Sequence, residues 1–193
     1  MMAGNLATPS QTVGPFFRLA LDHLAVADLT EPGIGGRPIT IQGSVFDGEG
    51  QPVADALIES WQANSAGQYA AAPDVAAAPP PIRSPFRGFA RVATDDTGHF
   101  QLRTIMPGPT AGPHGTQQAP HLAVAIFMRG LLKQLVTRIY FGDDETTATD
   151  PVLNMVEKSR RHTLLATPQP ADDSVYAWDV WLQGPEETVF FDV

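Results

Sequence analysis

The chain is expected to fold as an all-β, two-sheet β-sandwich with an N-terminal arm and one short helix. Three observations point there. Eighteen prolines and 17 glycines among 193 residues interrupt the chain too often for long helices. Apolar residues in several segments recur at every second position, the spacing of a strand with one buried face. Turn signals separate those segments at short intervals, as in packed sheets. A hydrophobic content of 43% supports a real core, and the length suits one domain with an extension.

The elements follow in order. Residues 1–37 carry few periodic features and read as an arm or short helix that something else must tie down. The body, 38–193, begins with "PITIQGSVFD" (38–47), where Ile39, Ile41 and Val45 keep strand spacing. "GEG" (48–50) is a turn, and "DALIESWQA" (55–63) is the returning strand. Residues 70–81, "AAAPDVAAAPPP", form an irregular Ala/Pro loop. "GFARVATDDTGHFQLRTI" (88–105) reads as a hairpin around Asp95-Asp96-Thr97-Gly98. "HLAVAIFMRG" (121–130) and "KQLVTRIYF" (133–141) form a second strand pair around Gly130. Residues 150–166 are the best helix, with Asp150 at the N-cap and Pro151 in the first helical position. "VYAWDVWLQG" (175–184) alternates, and "ETVFFDV" (187–193) is the last strand. The sum is about eight strands.

Composition excludes several functions. There is no cysteine, hence no disulfide, thiolate metal site or cysteine nucleophile. The net charge of −9 repels a phosphate backbone, so no nucleic-acid partner is expected. An anionic ligand would need a placed arginine to receive it. No apolar run is long enough for a membrane span, and the N-terminus lacks the pattern of a signal peptide, so the cytoplasm is the expected compartment.

Candidate chemistry is sparse. His23, His99, His114, His121 and His162 show no i, i+2 or i, i+4 pair that would set two imidazoles on one face. No G-x-S-x-G elbow accompanies Ser10, Ser60 or Ser65. "FGDDETTATD" (141–150) lacks the EF-hand pattern and reads as a loop leading into a helix cap. Glu59 reads as structural. Arg129, at a strand end before Gly130, reads either as a surface arginine or as one that reaches a pocket at the rim.

Several stretches together resemble the intradiol ring-cleavage dioxygenases. They are "TPSQTVGPFF" (8–17), "GSVFDGEGQPVADALIESWQANSAGQY" (43–69), "DDTGHFQLRTIMPG" (95–108), "APHLAVAIFMRG" (119–130) and "VTRIYF" (136–141). The resemblance covers most of the chain and is weakest over 22–37 and the Ala/Pro loop. It implies a two-sheet sandwich whose active chains hold one non-haem Fe(III) with two tyrosines and two histidines, hard donors that suit the ion. Carried over by position, the first tyrosine is Tyr69 and the second position holds Thr110. The His-x-His pair reads His121 and Ala123. Two of four ligand positions survive, so the resemblance implies no iron on this chain and vestigial roles for Tyr69 and His121. It also implies a paralogous β subunit that binds the Fe(III), in a larger αβ assembly. This chain would then line the pocket for a carboxylated catechol through Thr12, Gly14, Pro15 and Arg129. The alternative is a free-standing β-sandwich binding module without an enzymatic partner.

Overall fold

A computed structural model describes residues 8–14, 16–70 and 86–192. The Ala/Pro loop beyond Ala70 and the candidate Pro15 lie outside the described residues. The one α-helix among them, α1, is short and spans Phe16–Leu21. It is followed by the strands β1 (Pro38–Phe46), β2 (Leu57–Gln62), β3 (Phe89–Ala93) and β4 (His99–Ile105). Two short strands, β5 (Thr110–Ala111) and β6 (Gln117–Gln118), pair with each other. The rest are β7 (His121–Phe127), β8 (Leu135–Phe141), β9 (Leu165–Gln169), β10 (Asp172–Ala177) and β11 (Val180–Trp181).

The all-β expectation with one short helix holds, but the sheets are not cleanly two. Among the described residues a nine-stranded ladder runs β11-β1-β10-β9-β8-β7-β2-β3, with β4 added on β1, and β5-β6 form a small second sheet. The β9–β10 ladder joins the two halves, with a register shift between Asp172 and Tyr176. Alternate side chains of both halves meet in one core: Ile39 and Ile41 from β1, Val92 from β3, Leu102 from β4, Val124 and Ile126 from β7 and Ile139 from β8 are all buried. That is the expected result of period-two patterning on strands with one buried face.

Three expectations need correction. The 88–105 segment is no hairpin: β3 pairs with β2 and β4 with β1, so the Asp95 turn carries the chain from one half to the other. Asp95 Oδ1 accepts from Thr97 N at 2.8 Å and His99 N at 3.0 Å, which closes that turn without a two-strand ladder. The helix expected over 150–166 is instead two 3₁₀ turns, Leu153–Met155 and Arg161–Leu164, leading into β9. Arg161 donates to the backbone carbonyls of Val156 and Asn154, acceptors that a helix would have used itself. Among its described residues the last segment forms only an isolated bridge, Val136↔Phe191.

Residues 26–29 are clipped to the body. Val26 bridges Arg91 and Asp28 bridges Arg103, and Leu29 is buried. Ahead of them α1 buries no residue.

Candidate functional site

Two regions carry the candidate residues, one at each end of β7. At its start, His121 is 3% exposed. Its Nδ1–H donates to the Ala119 carbonyl at 2.7 Å. That contact fixes the tautomer, because a carbonyl only accepts. Nε2 is then free to accept, and Tyr69 Oη donates to it at 3.3 Å. The two surviving ligand positions are thus hydrogen-bonded to each other across 52 residues of sequence.

Local backbone chemistry brings them together. Asn64 Oδ1 accepts from Ala66 N and Gln68 N, and the Asn64 carbonyl accepts from Gly108 N at 2.9 Å. Gly67 has φ +74°, and a Cβ there would sit 2.0 Å from the Pro109 carbonyl oxygen. Only glycine permits that approach, and it lays the Tyr69 turn against the loop that carries Thr110. Thr110 is 4% exposed, and its hydroxyl is buried with no hydrogen-bond partner among the described residues. It lies close enough to Tyr69 to pull down the phenol's pKa, though with poor hydrogen-bond geometry. Ala123 stands directly across from Arg138 of β8. Arg138 Nη1 donates to Gln118 Oε1 at 2.7 Å and to Tyr140 Oη at 3.3 Å.

The electrostatics follow from burial and from that guanidinium. Burial raises the Tyr69 phenol above its ordinary value, and the Arg138 charge only partly opposes it. Burial lowers His121, an effect the Ala119 carbonyl opposes. Burial also raises Tyr140. Near neutral pH the pair is therefore a neutral phenol and a neutral imidazole. Sequence reasoning missed the support beneath it, Asp150. This fully buried carboxylate accepts from Ala119 N at 2.8 Å, Tyr140 Oη at 3.0 Å, Val152 N at 2.9 Å and Leu153 N at 2.8 Å. The Asp-Pro cap signal located Asp150, but not the strands it would serve.

The residues do not fit a ferric ion. That ion wants several hard, anionic donors. Here one phenol is held protonated and spent on the imidazole, and the other two positions carry a threonine and an alanine. The Arg138 charge also acts on both surviving positions. Among the described residues no group of three or more His, Asp or Glu side chains is placed to hold a metal.

The other region lies beyond the far end of β7. Arg129 Nε is 2.5 Å from Asp55 Oδ2. Thr12 Oγ1 accepts from Gly130 N at 2.8 Å, a contact spanning 118 residues. Gly14 supplies the carbonyl that accepts from Phe17 N at the start of α1. Among the described residues nothing lies within 4 Å of a Cβ added at Gly14, so close backbone packing is not seen there. Phe17 packs on Phe127 with ring centres 5.7 Å apart, and Arg18 Nη1 donates to the Ala54 carbonyl at 2.6 Å. The arm, the turn before β2 and the turn after β7 therefore converge. Of the expected pocket residues, Thr12, Gly14 and Arg129 fall in this one region. Asp55 and Arg18 were missed, because neither carried a signal before its partner was known. Glu59 is accounted for by its cross-strand partner Arg91, 2.6 Å away.

The fold and the family ligand positions define a class, and the comparisons agree. A family model described as "Dioxygenase" matches residues 16–184, and the chain belongs to that dioxygenase family. Among its relatives, a protocatechuate 3,4-dioxygenase alpha chain of Burkholderia cepacia is 42% identical over 96% of this chain and 97% of its own length. The alpha chain of Pseudomonas putida is 37% identical over 96% of each. The Burkholderia cepacia beta chain is 33% identical over 87% of this chain and 74% of its own. The dioxygenase domain of a carbohydrate-binding fusion protein from Streptomyces sp. SirexAA-E shares the fold. It is 23% identical, with a TM-score of 0.62 over 98% of this chain and 97% of that one.

Proposed function

We propose that this chain is the non-iron-binding α subunit of a protocatechuate 3,4-dioxygenase. With an Fe(III)-bearing β subunit, in a higher αβ oligomer in the cytoplasm, it would cleave protocatechuate (3,4-dihydroxybenzoate) with O2. The bond cleaved lies between the two hydroxylated carbons, both oxygen atoms enter the product, and 3-carboxy-cis,cis-muconate results, a step of aromatic catabolism in the β-ketoadipate pathway. The observation that carries this reading is the near-full-length similarity to alpha chains, at higher identity than to a beta chain.

The geometry supports a pocket shared between chains. Phe127 is six residue steps from His121 along β7, roughly 20 Å at strand rise, and Arg129 lies further on. Its side chain cannot serve the Tyr69–His121 cluster of its own chain. A pocket lined by Arg129 would therefore lie apart from that cluster, and in this reading the β subunit completes it. There the guanidinium would receive the substrate carboxylate, and Thr12, Gly14 and Pro15 would form the wall. In a chain of net charge −9, one placed guanidinium is the means of receiving an anion.

The test is co-expression with a β-type chain that keeps both tyrosines and the His-x-His pair. The two should elute together and consume O2 with protocatechuate, while this chain alone stays colourless and inactive after growth with iron. A stable monomer that ignores the partner would return the free-standing binding module. A red-brown chain on its own would overturn the assignment.

A further inference from the structure

We propose that Asp55 is a positioning residue that aims the Arg129 guanidinium at the substrate carboxylate. The inference rests on the α-subunit reading above and adds a specificity determinant to it.

Asp55 sits in the turn just before β2, and its side chain is only 19% exposed. Its Oδ2 is buried and makes no well-formed hydrogen bond among the described residues. A desolvated carboxylate oxygen without such a bond is unfavourable unless a charge stands beside it. Arg129 Nε, 2.5 Å away, is that charge. The arginine side chain is 61% exposed, so the pair joins a buried anchor to an open cation.

Which edge of the guanidinium is used decides what the contact does. Asp55 meets Nε. The Nη1/Nη2 edge makes no hydrogen bond among the described residues, and that edge matches a carboxylate with two parallel bonds. An arginine carries large rotamer freedom, and ordering it beforehand removes a cost that binding would otherwise meet. Asp55 also offsets part of the positive charge, which works the other way. Two ties hold the anchor in place: Arg18 Nη1 to the Ala54 carbonyl at 2.6 Å, and Thr12 Oγ1 to Gly130 N at 2.8 Å. With both neighbours of the pair fixed and the receiving edge open, ordering outweighs partial neutralisation.

The experiment is a double-mutant cycle in the co-expressed αβ complex, assayed with protocatechuate and with catechol, which lacks the carboxylate. Asp55→Ala should raise KM for protocatechuate about tenfold, the effect of one modest polar interaction, and change kcat little. KM for catechol should stay nearly constant. Asp55→Asn should fall between, since it keeps the shape of the side chain beside Nε and loses its charge. In an Arg129→Ala background, Asp55→Ala should add nothing. A KM for protocatechuate that falls or stays constant in Asp55→Ala, or an additive penalty in the double variant, overturns the inference. If Arg129→Ala itself spares KM for protocatechuate, the pocket reading fails and the inference fails with it. If Arg129→Ala is selective while both Asp55 variants are silent, Asp55's role alone falls. Co-elution with the β chain confirms that each variant is folded.

Discussion

The two ends of β7 have the same kinds of residue and opposite organisation. At the His121 end most of the polar groups are bonded to one another. Tyr69 bonds His121, His121 bonds the Ala119 carbonyl, and Asp150 gathers Ala119, Tyr140, Val152 and Leu153. At the Arg129 end the polar groups stop short of closure: the guanidinium is held at one edge and open at the other. A closed network contributes to stability and leaves nothing over for a ligand. An open charge contributes little to stability, because exposed ion pairs are weak, and remains available. In the proposed reading, the fold keeps the packing of one end and presents a charged group at the other end of the same strand.

The largest expected effect tests that division. Asp150→Ala orphans four donors in the buried end and should cost about 3–5 kcal/mol in urea unfolding, as when one partner of a buried charged network is removed. Arg129→Ala takes the charge from beside the buried Asp55 Oδ2 and should cost about 1–2 kcal/mol, less than the loss of Asp150. Comparable losses for the two would break the comparison. Next in size is Tyr69→Phe. It deletes one hydrogen bond and should cost about 1 kcal/mol of stability. Turnover by the αβ complex should not change. A collapse of turnover would show that this phenol takes part in the reaction.

The same pair sets a pH dependence. Burial holds the folded-state pKa of His121 below that of the unfolded chain, so the unfolded chain takes up the proton first as pH falls. The neutral pair's full contribution is present above the unfolded histidine value of about 6.5 and declines below it. Unfolding midpoints should fall as the pH drops below about 6.5. A His121→Asn variant, whose amide can still donate to the Ala119 carbonyl, should show a flatter profile over that window. Equal slopes would mean that other groups carry the acid sensitivity.

How much of this was legible in the sequence depends on the range of the interaction. Strands such as 38–46 and 121–127 were visible because their spacing is local. Their partners were not. The Asp95 turn looked like a hairpin because period two says nothing about which half a strand joins. The helix expected over 150–166 failed because Arg161 takes the backbone acceptors, a side-chain choice that apolar spacing does not report. Tyr69 and His121 had no visible relation from residue types alone, and only the family resemblance linked them. Arg138 and Asp55 matter through what stands opposite them, Ala123 in one case and the Arg129 Nε in the other.

The smallest expected effect has the opposite sign from the rest. Thr110 stands where the family resemblance implies a tyrosine, and its hydroxyl is buried without a hydrogen-bond partner among the described residues. Thr110→Val keeps the shape and removes the orphaned group. An unsatisfied buried hydroxyl costs about 1–3 kcal/mol, so relieving it should stabilise the chain, by up to about 1 kcal/mol after local relaxation. The competing possibility is that Tyr69 divides its hydroxyl between His121 and Thr110, since Thr110 acts on the Tyr69 phenol. In that case valine would destabilise, and the loss would vanish in a Tyr69→Phe background. A gain of stability that persists in that background identifies Thr110 as a leftover of a site whose second phenol is gone. A loss confined to the Tyr69 parent would make it a working member of the closed end.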